Sequence, residues 1–386
     1  MLRPLVLVSL LAVMEAKKTA LVIVDTQHCF TNERIPSEPF AACEPSADTC
    51  TREGSLGVAD GASIVPLINQ LRSDKGCLFD VIVRTQDYHP TGHVSFASSY
   101  FGDGTPNSGF SSSGGPIPSV GFSVDVHCTR ATSQSIDDAQ CCFVDTTQPA
   151  CDDIGTAACD AAAAKAASDS SNQACSVCRN DPSSCLVMPQ ALWTDHCLQE
   201  GDAGFATGLV IAATDTVIQK GTNKHIDAYS AFMDNAKLHK TGLDAALKAH
   251  GVDTVYITGI ATDFCVSWTA TDAVELGYTA AIITDATAPI AIPVGGGQTT
   301  VDTARAHWMA KGVSELSMSD MMAMSCPSPP SAQEERVLGI TSNIVRREAE
   351  HIFVALVQLV VVAIVQLVVV AVVQLIQVVF SYIERL

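Results

Sequence analysis

Positive charge is scarce in this chain. Its 386 residues include 22 Lys and Arg against 41 Asp and Glu, a formal net charge of -19, and only 16% of residues are charged. A nucleic-acid partner requires a basic face to neutralise phosphates, so this balance excludes that class. A phosphate or dinucleotide cradle is missing as well: Gly295-Gly296-Gly297 reads as a loop without a phosphate-binding signature. Charge is absent altogether between residues 352 and 380.

Hydrophobic residues, by contrast, make up 47% of the chain, enough for one large or two modest domains with a real core. Cysteine is in surplus, with 15 residues. That number exceeds what an ordinary cytosolic enzyme carries and favours an oxidising compartment, where disulfides persist. The start of the chain agrees. Met1-Leu2-Arg3 is a short basic segment, residues 4–14 are apolar, and Met14-Glu15-Ala16 offers a small-residue cleavage site. Residues 1–16 therefore read as a secretory signal peptide, and the expected location is the secretory pathway, extracellular or membrane-anchored. The alternatives are an untidy N-terminal extension and a cytoplasmic protein.

Residues 352–380 form an apolar tail long enough for a transmembrane helix, which would give membrane attachment. Glutamines at Gln358, Gln366 and Gln374 mark a regular repeat within it, so low-complexity sequence is the competing reading. Residues 327–351, opening with Pro327, Pro329 and Pro330, read as a linker to the body.

Within residues 17–326, apolar strand patterns alternate with helical ones. Strands are expected at 19–25, 78–85, 216–219, 254–258 and 279–284, with helices at 62–71, 243–250, 266–276 and 299–311. Continuous apolar strands separated by helices predict an α/β fold, a three-layer α/β/α sandwich with a mostly parallel central sheet. Residues 98–189 interrupt the alternation. This stretch is rich in Ser, Gly, Ala and Asp and carries eight cysteines (Cys128, Cys141, Cys142, Cys151, Cys159, Cys175, Cys178 and Cys185), so it reads as an insertion stapled by disulfides rather than by a core. Zinc on Cys175, Cys178 and Cys185 is the weaker alternative, because a second ligand pair at the usual spacing is lacking. Cys43 and Cys50 are expected to close a local loop.

Chemistry concentrates at strand ends, where an open parallel sheet builds its ligand crevice. Cys265 follows the 254–258 strand and opens a helix, whose unpaired N–H groups and dipole favour a thiolate. Alone, it reads as an inert buried cysteine packing the helix on the sheet. Asp25 ends the first strand: alone a turn former, beside a thiol a general base. Lys220 ends another: alone a surface lysine, beside both groups a fixed positive charge for thiolate and oxyanion. Asp87, His89 and His93 fall within seven residues, and His196 lies in Trp193-Thr194-Asp195-His196. One carboxylate and several imidazoles suit a divalent ion, though an exposed turn has the same composition.

These segments occur in an order that resembles the nicotinamidases of the isochorismatase-like cysteine hydrolase superfamily. The resemblance is carried by residues 20–30 (Ala-Leu-Val-Ile-Val-Asp-Thr-Gln-His-Cys-Phe), 54–61, 85–97, 192–197, Lys220-Gly221, Tyr229-Ser230-Ala231-Phe232 and Gly259-Ile260-Ala261-Thr262-Asp263-Phe264-Cys265. It implies Asp25, Lys220 and Cys265 as catalytic triad, Asp87, His89, His196 and less securely His93 as ligands of Zn, Fe or Mn, and Phe30, Trp193, Tyr229 and Ile260 around a pyridine ring. It further implies a cis Ile260–Ala261 peptide and an oxyanion hole from the Ala261 and Cys265 N–H groups. The activity so implied is an amidohydrolase releasing ammonia from nicotinamide, a small-molecule substrate, through a thioester. The alternatives are a related amidase acting on another amide or carbamoyl substrate, and a binding protein that lost turnover. A homo-oligomer is also left open. The insertion, the signal-like start and the apolar tail depart from the ordinary family pattern. Cys197, next to His196, is the expected hazard to a reactive Cys265.

Overall fold

The computed structural model describes residues 17–31, 35–36, 51–52, 55–101, 123–129, 141–142, 163–164, 167–168, 173–327 and 358. Contacts divide the chain into units 1–326 and 327–386, and the architecture below is that of the first. The expected signal segment, the Cys43–Cys50 loop and almost all of the apolar tail lie outside the described residues. Among the described residues no helix is long and apolar enough to cross a membrane.

Along the chain run β1 (Lys18–Val24), α1 (Ile64–Lys75) and β2 (Val81–Asp87), followed by β3 (Ser123–Thr129), β4 (Cys141–Cys142), α2 (Gln173–Asn180) and β5 (Cys185–Ala191). Then come β6 (Thr216–Lys220), α3 (Leu243–Ala249), β7 (Val252–Ile260), α4 (Ser267–Glu275), β8 (Thr279–Ala288), α5 (Thr300–Lys311), β9 (Ser314–Leu316) and α6 (Met318–Ala323). Six strands form the central sheet in the order β9-β8-β7-β1-β2-β6, every neighbouring pair parallel. The strand alternation of side chains sorts the core onto two faces. Ala20, Val22 and Val24 of β1 pack with Leu243 and Leu247 of α3, Ala270 of α4 and Trp308 of α5. Leu21 and Ile23 pack with Ile64, Ile68 and Leu71 of α1 and Met321 of α6. Both faces of β1 are sealed, which is why its run reads as continuously apolar.

This order positions the site. From β1 the chain moves outward through β2 to β6, then returns to the other side of β1 with β7. The reversal opens a crevice at the carboxyl ends of β1 and β7, the usual ligand position in such sheets. Val24 pairs with Gly259 in that seam. Gly259 has φ +113, and a Cβ there would fall 1.9 Å from the Val24 carbonyl oxygen, so only glycine fits.

The insertion differs from its expected character. Seven registered pairs join β3 to β5 antiparallel, with β4 on the far side of β3. Val126, Cys128 and Cys141 pack with Val94, Tyr100, Leu192 and Ile226. The described part of the insertion thus shares a small core with loops of the body as well as disulfides, because Val126, Leu186 and Met188 supply strand-period apolar positions hidden in a polar, alanine-rich composition. Zinc on its cysteines is excluded at two of the three positions, since Cys178 is bonded to Cys185; Cys128 is likewise bonded to Cys141. β5 ends two residues before Trp193, so the insertion feeds directly into the site.

Candidate active site

Asp25, at the end of β1, is fully buried and has φ 42, a left-handed turn that an aspartate tolerates better than most residues. Thr85 of β2 fixes it twice: its hydroxyl donates to Asp25 Oδ1 (2.6 Å) and accepts the Asp25 N–H (3.0 Å). Lys220, the last residue of β6, places Nζ 2.8 Å from Asp25 Oδ2, 3.0 Å from Asp87 Oδ1 and 3.4 Å from Cys265 Sγ, and also donates to the Ala228 carbonyl (2.9 Å). Cys265 lies in a wide helical turn over Thr262–Val266 that precedes α4, with the Val266 N–H bonded to the carbonyl of Ala261 five residues back (3.0 Å). Such turns recur at functional sites. The Ile260–Ala261 peptide before it is cis. One sulfur, one carboxyl and one ammonium from three strand ends therefore share a crevice, and among the described residues Cys265 is the free thiol.

The electrostatics amend one expectation. Burial pushes the Cys265 thiol well above its ordinary value; Lys220 draws it down, and the Asp25 and Asp87 carboxylates push it up. Burial in the crevice thus works against the helix terminus, which favours the anion. Burial also raises Asp25, against the attraction of Lys220. Lys220 itself is pulled down by burial, but Asp25, Asp87 and Cys265 more than offset this and hold it well above the usual ammonium value. The resting set is a neutral thiol, a carboxyl poised to take a proton, and a lasting positive charge between them.

Asp87 does double duty, which its place in the sequence did not reveal. One oxygen bonds Lys220; the other lies 3.1 Å from His89 Nε2 and 3.6 Å from His196 Nε2. His89 Nδ1 faces the Gly221 carbonyl (2.9 Å) and His196 Nδ1 the Thr194 carbonyl (2.8 Å). Carbonyls accept only, so Nδ1 of each ring donates to its carbonyl, and Nε2 is the atom that each ring turns toward Asp87. Ligand atoms of Asp87, His89 and His196 all lie within 4.8 Å of one another. His93 stacks on His89 with centroids 3.9 Å apart, bonds Ser95 Oγ (2.8 Å), and falls in a second group with His89 and Asp227. Burial pushes Asp87 up, but His89 and Lys220 more than offset it, holding its carboxyl well below the usual range. A carboxylate oxygen and two imidazole Nε2 atoms converging at one point are a donor set that fits a divalent ion, which would replace the protons on Nε2.

Aromatic side chains border both groups. The Phe30 ring lies 5.6 Å from His196. Trp193 Nε1 donates to the Tyr229 hydroxyl (3.3 Å), and Phe264, beside Cys265, meets Trp193 and Tyr229 edge-on at 5.0 and 5.5 Å. Ile260 is fully buried in the same core cluster as Phe30. Three contributors escaped the sequence reading. Thr85 sits in the quoted Thr-Gln-Asp run, where strand alternation places it one pleat from Asp87. Phe264 separates two residues already singled out. Asp263 accepts the Ile290 and Ala291 N–H groups (3.0 and 2.9 Å) and so ties the catalytic turn to the loop after β8. The Cys197 hazard is corrected: its sulfur is bonded to Cys29, not available to Cys265.

The chain is similar to several known proteins. The profile of the isochorismatase domain matches residues 138–292. A nicotinamidase of Acinetobacter baylyi is 30% identical over 309 residues, covering 80% of this chain and 96% of that protein. A nicotinamidase of Saccharomyces cerevisiae is 27% identical over 243 residues, covering 61% of this chain and 81% of its own length. The solved structure of an Acinetobacter baumanii nicotinamidase/pyrazinamidase shares 30% identity with a TM-score of 0.48, covering 80% of this chain and 99% of that one. The chain belongs to the nicotinamidase family of isochorismatase-like cysteine hydrolases.

Proposed function

We propose that this protein hydrolyses nicotinamide to nicotinate and ammonia. The observation that carries the proposal is the bridge made by Asp87, which joins Lys220, Asp25 and Cys265 on one side to His89 and His196 on the other. A nucleophile thus stands beside a candidate cation cluster, and aromatic side chains border both.

Asp25 takes the Cys265 proton as sulfur attacks the amide carbon, and Lys220 stabilises the charge that appears on sulfur. The Ala261 and Cys265 N–H groups hold the oxyanion. Asp25 returns its proton to the departing ammonia, leaving a thioester, then draws a proton from the water that hydrolyses it. Asp87, His89 and His196, with His93 stacked on His89, would hold a divalent ion, which would supply Lewis-acid chemistry for binding the ring. Phe30, Trp193, Tyr229 and Ile260 orient the ring, a proximity effect rather than bond-breaking. The disulfides Cys29–Cys197, Cys77–Cys326, Cys128–Cys141 and Cys178–Cys185 support a location in an oxidising compartment.

Ammonia release from nicotinamide, set beside the same assay with aliphatic amides and carbamoyl compounds, tests the assignment. Preference for a carbamoyl substrate would transfer it to a related amidase. Chelation, with metal content measured on the same sample, is expected to raise KM for nicotinamide about tenfold or more and to lower kcat less, because a ring-positioning ion contributes mainly to binding. Unaltered kinetics in verified metal-free protein would remove that role.

Gly221 gives a sharper test. It has φ +62, and a Cβ there would lie 2.3 Å from His89 Cε1 and 2.6 Å from Nδ1. Gly221→Ala also adds roughly 1–2 kcal/mol of backbone strain. Expulsion of His89 from the cluster is the expected outcome, read as lost metal affinity in a protein that still folds. A variant retaining wild-type metal affinity would show that His89 is not held as described.

A further inference from the structure

The buried disulfide between Cys29 and Cys197 joins the segment that carries Asp25 and Phe30 to the segment that carries His196. Both residues are fully buried and their Cα atoms are 5.1 Å apart across 168 residues of sequence. Cys29 immediately precedes Phe30, four residues after Asp25. Cys197 immediately follows His196, and its carbonyl accepts the N–H of His89 (3.0 Å). The His89 carbonyl in turn accepts the Gln199 N–H (3.0 Å). Cys197 itself has φ 46, a left-handed conformation that a non-glycine residue holds only where its surroundings impose it. The chain around Cys197 is therefore fastened at three points: to His196 through the peptide, to His89 through a hydrogen bond, and to the segment after β1 through sulfur.

We propose that the Cys29–Cys197 disulfide is a positioning element that holds His196 and Phe30 in register with Asp87 and His89, so that cation retention and ring binding depend on its being closed. The proposal rests on the reading of Asp87, His89 and His196 as metal ligands. Neither cysteine touches the reacting atoms; both act through their neighbours. A strained backbone kept by a crosslink relaxes when the crosslink is cut, and His196 then swings with its neighbour, whereas Asp25, anchored by Thr85 and Lys220, keeps its place.

The test uses the full chain, stripped of metal, with Zn2+ affinity measured by chelator competition. Cys29→Ser/Cys197→Ser is expected to weaken the Zn2+ Kd about 10–100-fold, the range seen when supporting groups around metal ligands are removed. KM for nicotinamide rises with it, and kcat changes less. Cys77→Ser/Cys326→Ser, which removes another long-range disulfide, lowers Tm and leaves Zn2+ affinity as in the wild type. A folded Cys29→Ser/Cys197→Ser protein with wild-type Zn2+ affinity and KM would overturn the proposal. Asp87→Asn separates this result from the underlying reading: if that variant also binds Zn2+ normally, the ligand assignment fails instead. Should the double variant not fold, wild-type protein is opened with dithiothreitol and its thiols are trapped and mapped. Appearance of thiols at 29 and 197 together with Zn2+ release supports the proposal, and Zn2+ retention with both thiols labelled refutes it.

Discussion

Cys265→Ala is expected to lower kcat for nicotinamide by about 10⁴–10⁶-fold, the scale of losses when a covalent nucleophile is deleted from an intact site. Nicotinate affinity is expected to change little, because Phe30, Trp193 and Tyr229 remain and their mutual contacts do not involve the sulfur. The size of the effect follows from the geometry. Among the described residues Cys265 is the free thiol, and because burial raises it, attack requires that its proton pass to Asp25. Asp25→Asn is accordingly expected to approach the same loss, since an amide cannot take that proton. Ammonia release followed over many hours, with nicotinate binding by calorimetry, separates chemistry from binding. Turnover of the alanine variant at the wild-type rate would dispose of the thioester route.

How much of this was readable from the residues alone varies with distance along the chain. The strands were legible because both faces of the sheet are covered, so a strand such as Lys18–Val24 is a continuous apolar run flanked by chemistry. The site was legible because parallel sheets put strand ends together, and Asp25, Asp87, Lys220 and Cys265 each stand at or just beyond one. Pairings between such ends were not. The contact of Asp87 with both Lys220 and the imidazoles depends on the β2–β6 register, where Asp87 faces Lys220. The bond between Cys29 and Cys197 joins residues far apart in sequence, and connectivity among fifteen cysteines has no local signal. Cys265 shows the same limit in energetic form. Its position at a helix start is a sequence property and points to a lowered pKa. Its depth is a property of the folded crevice and reverses the sign.

Lys220→Met is expected to destabilise the fold as well as silence it. The ammonium lies between Asp25 Oδ2 at 2.8 Å and Asp87 Oδ1 at 3.0 Å, and all three side chains are buried. Methionine matches the stem and removes the charge, leaving two carboxylates without their shared partner. Breaking a buried ion pair from one side costs about 3–5 kcal/mol, since the remaining charge keeps its desolvation penalty. For a chain of this size that corresponds to a Tm lower by roughly 4–8 °C. The deficit has a sign in pH. Burial already raises Asp25 in the presence of Lys220, and loss of the ammonium raises it further. The folded variant then binds more protons than its unfolded chain, so its stability falls as pH rises above about 4, where a free carboxyl ionises. Relative to wild type, the loss is smallest in acid and grows toward neutrality. Thermal unfolding of both proteins between pH 4 and pH 8 measures this divergence. Curves that run parallel across the range would mean that Lys220 does not neutralise the two carboxylates, and the electrostatic account of the site would go with it. A second substitution refines the result: Asp25→Asn in the Lys220→Met background removes one orphaned charge and is expected to restore part of the lost stability, while activity stays absent.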